Sequence, residues 1–279
     1  MRKIRYGFMV FAMLLCAATS SFAQLSIGIG TPSVSIGVNV PVYPEFVAVP
    51  NYPVYYAPRL RANYFFYDGM YWVYEGDNWY ASSWYNGPWG VVHRDVVPAF
   101  VLRVPVRYYR APPPYFVGWR ADAPPLWNVH WGQEWEVRRA GWDRWDRRVA
   151  YTRAPLPLYQ RQYVGARYPR VVEQQTNIHI TNYNYHPRET VVRTHMKEQV
   201  AKAPPEAQKR FAEREAAQAK KEQAEESAQA KRAERAKSAK EFAPGQQNKD
   251  QRTPEKGAQS KDEGKGKKSD EEQGRGRDK

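Results

Sequence analysis

The chain has 279 residues, with 43 Lys+Arg against 29 Asp+Glu and a formal net charge of +14 at pH 7. Its single cysteine, Cys16, excludes an internal disulfide framework and a cysteine-rich metal site. The positive balance points to anionic partners.

Arg2, Lys3 and Arg5 form a positive n-region, and residues 7–18 are nearly all apolar, a run too short to span a bilayer. Ser21-Phe22-Ala23 puts small residues at −3 and −1, which predicts cleavage before Gln24. The other readings are an uncleaved anchor and a lipoprotein beginning at Cys16. Against the second, Leu15 stands where a small residue normally precedes a lipidated cysteine. Cleavage removes Cys16, so the mature chain must be stabilised by packing. The expected location is periplasmic or secreted, with outer-membrane association open.

Residues 24–60 form an extended Val/Pro-rich segment: 26–42 reads as one or two strands, and the prolines at 41, 44, 50, 53 and 58 reduce the rest to edge strand or linker. Residues 61–110 read as an aromatic β-meander. Asp68-Gly69 lies between two aromatic runs and predicts a two-residue hairpin turn. Glu75-Gly76-Asp77-Asn78 and Asn86-Gly87-Pro88 supply the next two turns. Aromatics fall on both parities of the strands, so both sheet faces need cover, part of it from residues 97–106.

Residues 111–170 hold six of the ten tryptophans. At 100° per residue, Trp131, Trp135, Trp142, Trp145 and Val149 share an arc of about 80°, which predicts a Trp-striped helix over 131–149, with Gly132 and Gly141 as its weak points. Arg138 falls in the same arc. Residues 171–196 offer a possible strand and a linker. From Lys197 the composition changes: no lysine occurs between Lys3 and that position, and an Ala/Lys/Glu helix opens at Pro204-Pro205-Glu206 and stops at Pro244-Gly245. Phe211 and Phe242 are its only large apolar residues, so no face is expected to dock it, and residues 246–279 read as disordered. The fold class is mainly β: a small antiparallel meander with an adjoining Trp-striped helix, then a solvated charged helix and a disordered tail.

Tyr67-Asp68-Gly69-Met70-Tyr71-Trp72 through Trp79-Tyr80, and Asn86-Gly87-Pro88-Trp89, resemble a group of exported proteobacterial proteins. The likeness continues at His130-Trp131-Gly132, at Gly141-Trp142-Asp143-Arg144-Trp145-Asp146-Arg147 and at Arg153-Ala154-Pro155-Leu156-Pro157, covering residues 60–170. It implies export and carries no activity with it.

The histidines at 93, 130, 179, 186 and 195 form no tight metal pattern, and neither a nucleophile elbow nor a phosphate loop is present. Asp143 and Asp146 sit among arginines and read as a salt-bridged face rather than as paired catalytic carboxylates. No catalytic residue, metal site or cofactor is expected. Asp68, Gly69, Trp72, Trp79, Trp131, Trp135, Trp142 and Trp145 are expected to be structural, and Trp84, Trp89, Trp119 and Arg138 are the candidate binding residues. The expected role is a non-enzymatic envelope protein that binds anionic envelope components or peptidoglycan. The alternatives are an enzyme acting on envelope glycans and a basic aromatic nucleic-acid binder, the latter disfavoured by export.

Overall fold

The computed structural model describes residue 29 and residues 36–146 and 148–241. The expected export signal, most of the 26–42 segment, the Pro244-Gly245 stop and the tail lie outside the described residues. The chain divides into two compact units, residues 1–224 and 225–279. In the second, the described residues are helical and, through 236, exposed.

Six antiparallel strands lie in sequence order in one sheet: β1 (Val47–Ala48), β2 (Tyr55–Tyr56), β3 (Asn63–Tyr67), β4 (Met70–Glu75), β5 (Asn78–Ser82) and β6 (Gly90–Val92). Tyr67 pairs with Met70 across the Asp68-Gly69 turn, where φ is 52° and 85°. Positive φ at both central positions is what the right-handed strand twist requires of a two-residue turn. A Cβ on Gly69 would also meet Tyr185 Cδ1 at 3.1 Å. The buried Asp68 carboxylate also accepts bonds from Tyr185 Oη and from the backbone N–H groups of Arg188 and Glu189. It thereby caps the approach to a helix far along the chain.

Residue parity divides the aromatics between two cores. Phe65, Tyr67, Met70, Trp72, Tyr74 and Trp79 face one way, into a cluster with Val101, Leu102, Phe116, Trp127, Trp135 and Trp142. Tyr64, Phe66, Tyr71 and Val73 face the other way, against Val40, Tyr85, Trp89, Ala154 and Tyr183. Each fully buried aromatic contributes about 1.5–3 kcal/mol, so the meander depends on cover from both flanks.

That cover is helical, and the mainly β expectation is wrong. After the sheet come α1 (Ala99–Leu102), α2 (Trp127–Trp131), α3 (Gln133–Arg138), α4 (Val172–Asn182), α5 (Thr190–Ala201) and α6 (Pro205–Glu241). At 37 residues, α6 alone exceeds the six strands together. Further expectations are corrected. The 131–149 helix is two short helices separated at Gly132, whose φ of 84° and ψ of 172° only glycine adopts readily. The chain then leaves helix at Arg139, so Trp145 is only half-buried and Val149 is 49% exposed. Trp131, Trp135 and Trp142 still face inward, because 127, 131 and 135 keep helical spacing and the 139–142 turn brings Trp142 to 5.5 Å from Trp135.

The 171–196 strand is instead α4 and the start of α5. Its β-branched residues suggest a strand, but Gln175, Thr176, His179 and Ile180 form a helical face and are buried. Of the expected 26–42 strand, Ile29 forms an antiparallel bridge with Val92, while residues 36–42 contain no strand. Finally, the charged helix does dock at its start. Ala207 is fully buried with Ile180, Val200 and Ala203, and Phe211 packs beside them. Arg214 Nη1 and Nη2 donate to the carbonyls of Ile180 and Tyr183. Beyond Gln218 the side chains described are exposed.

Arginine serves as an internal brace. Arg103 donates to the carbonyls of Trp142, Gly141 and Arg144. Arg139 reaches the carbonyls of Asp95 and Val97, and Arg153 those of Tyr52 and Val49. A planar fork with five donors suits several carbonyls at once, whereas an ammonium does not. Part of the positive charge therefore holds loops together and is not free surface charge.

Candidate functional site

Among the described residues, two neighbouring clefts share Asn51 and Tyr52. The first, of about 330 Å³, is lined by Pro50, Asn51, Tyr52, Pro105, Arg107, Tyr108, Asp122 and Trp145. The second, of about 270 Å³, is lined by Asn51, Tyr52, Arg148, Tyr151 and Arg153 with Val149 and Ala150. Their walls come from three distant segments, each fixed locally. Asn51, at φ 65°, sits in a tight turn closed by Val49 N–H donating to Val54 O and braced by Arg153 on the carbonyls of Val49 and Tyr52. Residues 105–108 are held to 121–123 by the N–H groups of Val106 and Arg107, which donate to the carbonyls of Ala123 and Ala121. Trp145 packs against the Arg103 guanidinium, 4.9 Å from its ring centroid, and against Tyr52, at 5.4 Å and inclined by 51°. Tyr108 packs edge-on to Tyr56.

The half-buried rings of Tyr108 and Trp145 stand next to hydrogen-bonding groups, the combination that holds a polar ligand with apolar faces, while Tyr52 is buried and supports Trp145. Arg107 and Arg148 are exposed and, among the described residues, make no ion pair. The cleft acid, Asp122, pairs with Arg120 at 3.4 Å. Its carboxyl lies below the usual range because of a backbone hydrogen bond and then the neighbouring guanidinium.

A second polar cluster resembles catalytic machinery but acts as a latch. Asp77 Oδ1 accepts from Tyr74 Oη at 2.5 Å and Tyr115 Oη at 3.0 Å, and lies 2.6 Å from His130 Nε2, with Tyr115 stacked on the His130 ring at 4.0 Å. Partial burial works against ionisation of Asp77, but the bonds from Tyr74, His130 and Tyr115 hold its carboxyl below the usual range. It therefore stays charged and ties the β4–β5 turn to α2 and to residues 114–116. Among the described residues the acid with a raised pKa is Glu189, pushed up by burial; it accepts from Tyr67 Oη at 2.7 Å and lines neither of the paired clefts. A cavity of about 30 Å³ among α4, α5 and α6 has room for about one water.

Among the candidate binding residues, Trp84 is fully buried, donates from Nε1 to Gln175 O and meets Tyr159, Tyr163 and Tyr168 edge-on. Trp89 is buried at right angles to Tyr64. Neither ring can serve as a surface platform, and that expectation is corrected. The cause is the second sheet face, whose cover is built from these aromatics and the 155–185 segment. Trp119 is half-buried and stacked on Phe116. Arg138 pairs with Asp95 at 2.9 Å and with Glu134. None of the four lines either shared cleft, and the structure does not bring them together. Of the residues expected to be structural, Trp72 and Trp79 are in the core, while Trp145 lines the first cleft. Tyr52, Tyr108, Arg107 and Arg148 were not legible as a set, because nothing in the sequence relates a proline-rich turn to loops about 55 and 95 residues later.

Among the described residues no helix is long and apolar enough to cross a membrane, and no three His, Cys, Asp or Glu residues are grouped to hold a metal ion. No protein-family model, curated protein or solved structure matches the chain, so its family stays open and the site rests on its own geometry.

Proposed function

We propose that the protein is an exported, non-enzymatic envelope protein whose folded part holds glycan or anionic envelope material in the clefts on either side of Tyr52. The positive, apolar and small-residue segments preceding Gln24 support export. The observation that carries the binding role is the packed Trp145–Tyr52 pair flanked by the exposed Arg107 and Arg148. Binding rather than hydrolysis is favoured because the cleft acid Asp122 is ionised and paired with Arg120, while glycoside hydrolysis needs a protonated acid and a second carboxylate across the bond.

Cell fractionation with N-terminal sequencing tests the location; a mature chain starting at Gln24 outside the cytoplasm is expected. Retention on purified sacculi and on lipopolysaccharide tests the role. Trp145→Ala should weaken retention by about 10-fold or more, as for a central aromatic anchor. Equal retention of the variant, or an intact Met1, would remove the reading.

A further inference from the structure

Resting on the binding role proposed above, we infer that the paired clefts take a linear acidic polysaccharide, one whose sugar units carry carboxylate or phosphate groups. Three features of the clefts select this chemistry. First, the two concavities share Asn51 and Tyr52 as a common wall, so a chain of several units that passes this wall reaches both. Second, two exposed cations stand one in each cleft, Arg107 in the first and Arg148 in the second, both without an ion pair among the described residues. Arg107 spends only Nε, on Ala121 O at 3.4 Å. The third cation, Arg153, is committed to two backbone carbonyls. A guanidinium binds carboxylate or phosphate through two parallel N–H bonds, so two separated arginines read charge at two places along one chain.

Third, the remaining polar groups suit hydroxyls. Asn51 and Asp122 supply acceptors beside the aromatic rings, and both accept hydrogen bonds from sugar hydroxyls. The Tyr52 and Trp145 rings are inclined by 51° and form no parallel slot of the kind that flat bases fill. Puckered sugar rings, with an apolar face and hydroxyl edges, fit such a corner better than nucleobases do.

The mature full chain is titrated with polygalacturonate, dextran and an oligothymidylate at about 0.15 M salt, where distant surface charges are screened. Polygalacturonate should bind more tightly than dextran and than the oligothymidylate. Arg107→Gln/Arg148→Gln should weaken polygalacturonate on the order of 10-fold per arginine, the loss of a charge-assisted pair. Lys209→Gln/Lys220→Gln removes the same charge from the exposed face of α6 and should leave binding unchanged. All four side chains are exposed, so the variants keep the fold. If dextran binds as tightly as polygalacturonate, the glycan-binding role stands and the acidic ligand is overturned. Equal weakening by the two variant pairs means non-specific attraction to a basic protein, and overturns both. Tighter binding of the oligothymidylate overturns the inference in favour of a single-stranded nucleic acid.

Discussion

At the residue scale, the unusual device is the use of arginine as a multi-carbonyl brace in a region without lysine between Lys3 and Lys197. Arg103 shows why. It is 6% exposed, lies between the Phe100 and Trp145 rings, and collects the carbonyls of the turn that follows α3. Buried carbonyls in an irregular loop would otherwise go unpaired, at a cost of about 1–3 kcal/mol each. A lysine reaches one or two of them and stacks poorly on the rings. Arg103→Lys should therefore lower stability by about 2–3 kcal/mol, measured by urea denaturation followed through tryptophan fluorescence. A loss below about 0.5 kcal/mol would mean that water satisfies the loop without help.

At the element scale, α6 illustrates how little apolar surface docks a charged helix when its small residues fall on one side. Ala203 and Ala207 allow close approach, Phe211 fills the adjoining space, and Arg214 closes the end of α4 by satisfying two of its terminal carbonyls. Glu215 extends the seam to His186 at 3.2 Å and Lys197 at 3.7 Å. Limited trypsin digestion should accordingly spare Lys209, Arg210 and Arg214 while it cuts at Lys220, at Lys221 and beyond. Ala207→Phe overfills the seam, at a cost of about 1–3 kcal/mol, and should open Lys209, Arg210 and Arg214 to cleavage. An unchanged digestion pattern in that variant would show that the seam does not hold the helix.

At the scale of the whole molecule, the layer of α4, α5 and α6 makes stability depend on pH. Burial holds His179 down to about 3, with Arg214 adding repulsion, and His195 down to about 4, with Lys202 adding repulsion. Unfolded, both take a proton near pH 6.5. Their neutral burial costs nothing above pH 6.5; below it the unfolded state gains protons that the folded state refuses. Stability is lost from pH 6.5 toward 4 at about 1.4 kcal/mol per pH unit for each histidine. Glu189 acts in the opposite sense, since its raised folded pKa favours proton uptake by the native state as acid is added. Between pH 7 and pH 5 the urea midpoint should fall by the equivalent of about 4 kcal/mol before the Glu189 offset, and His179→Gln or His195→Gln should each flatten the slope. A flat profile in the parent chain would place these rings in contact with water.

What the sequence determined by itself is local. Asp68-Gly69 sets a hairpin because two positive φ angles in succession are nearly confined to such residues. The aromatics on both parities of β3 and β4 require two covered faces whatever the covering elements are. Pro204-Pro205-Glu206 opens a helix because its ring geometry and early acid suit a first turn. Tertiary structure decided the rest. Residues 172–182, with Val172, Thr176, Ile178, Ile180 and Thr181, are helical because that periodicity buries Gln175, His179 and Ile180 together, which outweighs a β-leaning propensity worth tenths of a kcal/mol per residue. The Trp stripe continued past Gly132 and Gly141 on a wheel, but the chain could not, since no wheel registers a backbone angle that breaks the helix. The cleft depended most on the fold: its walls at Tyr52, Tyr108 and Trp145 meet only after the sheet and its helical cover have placed three loops side by side.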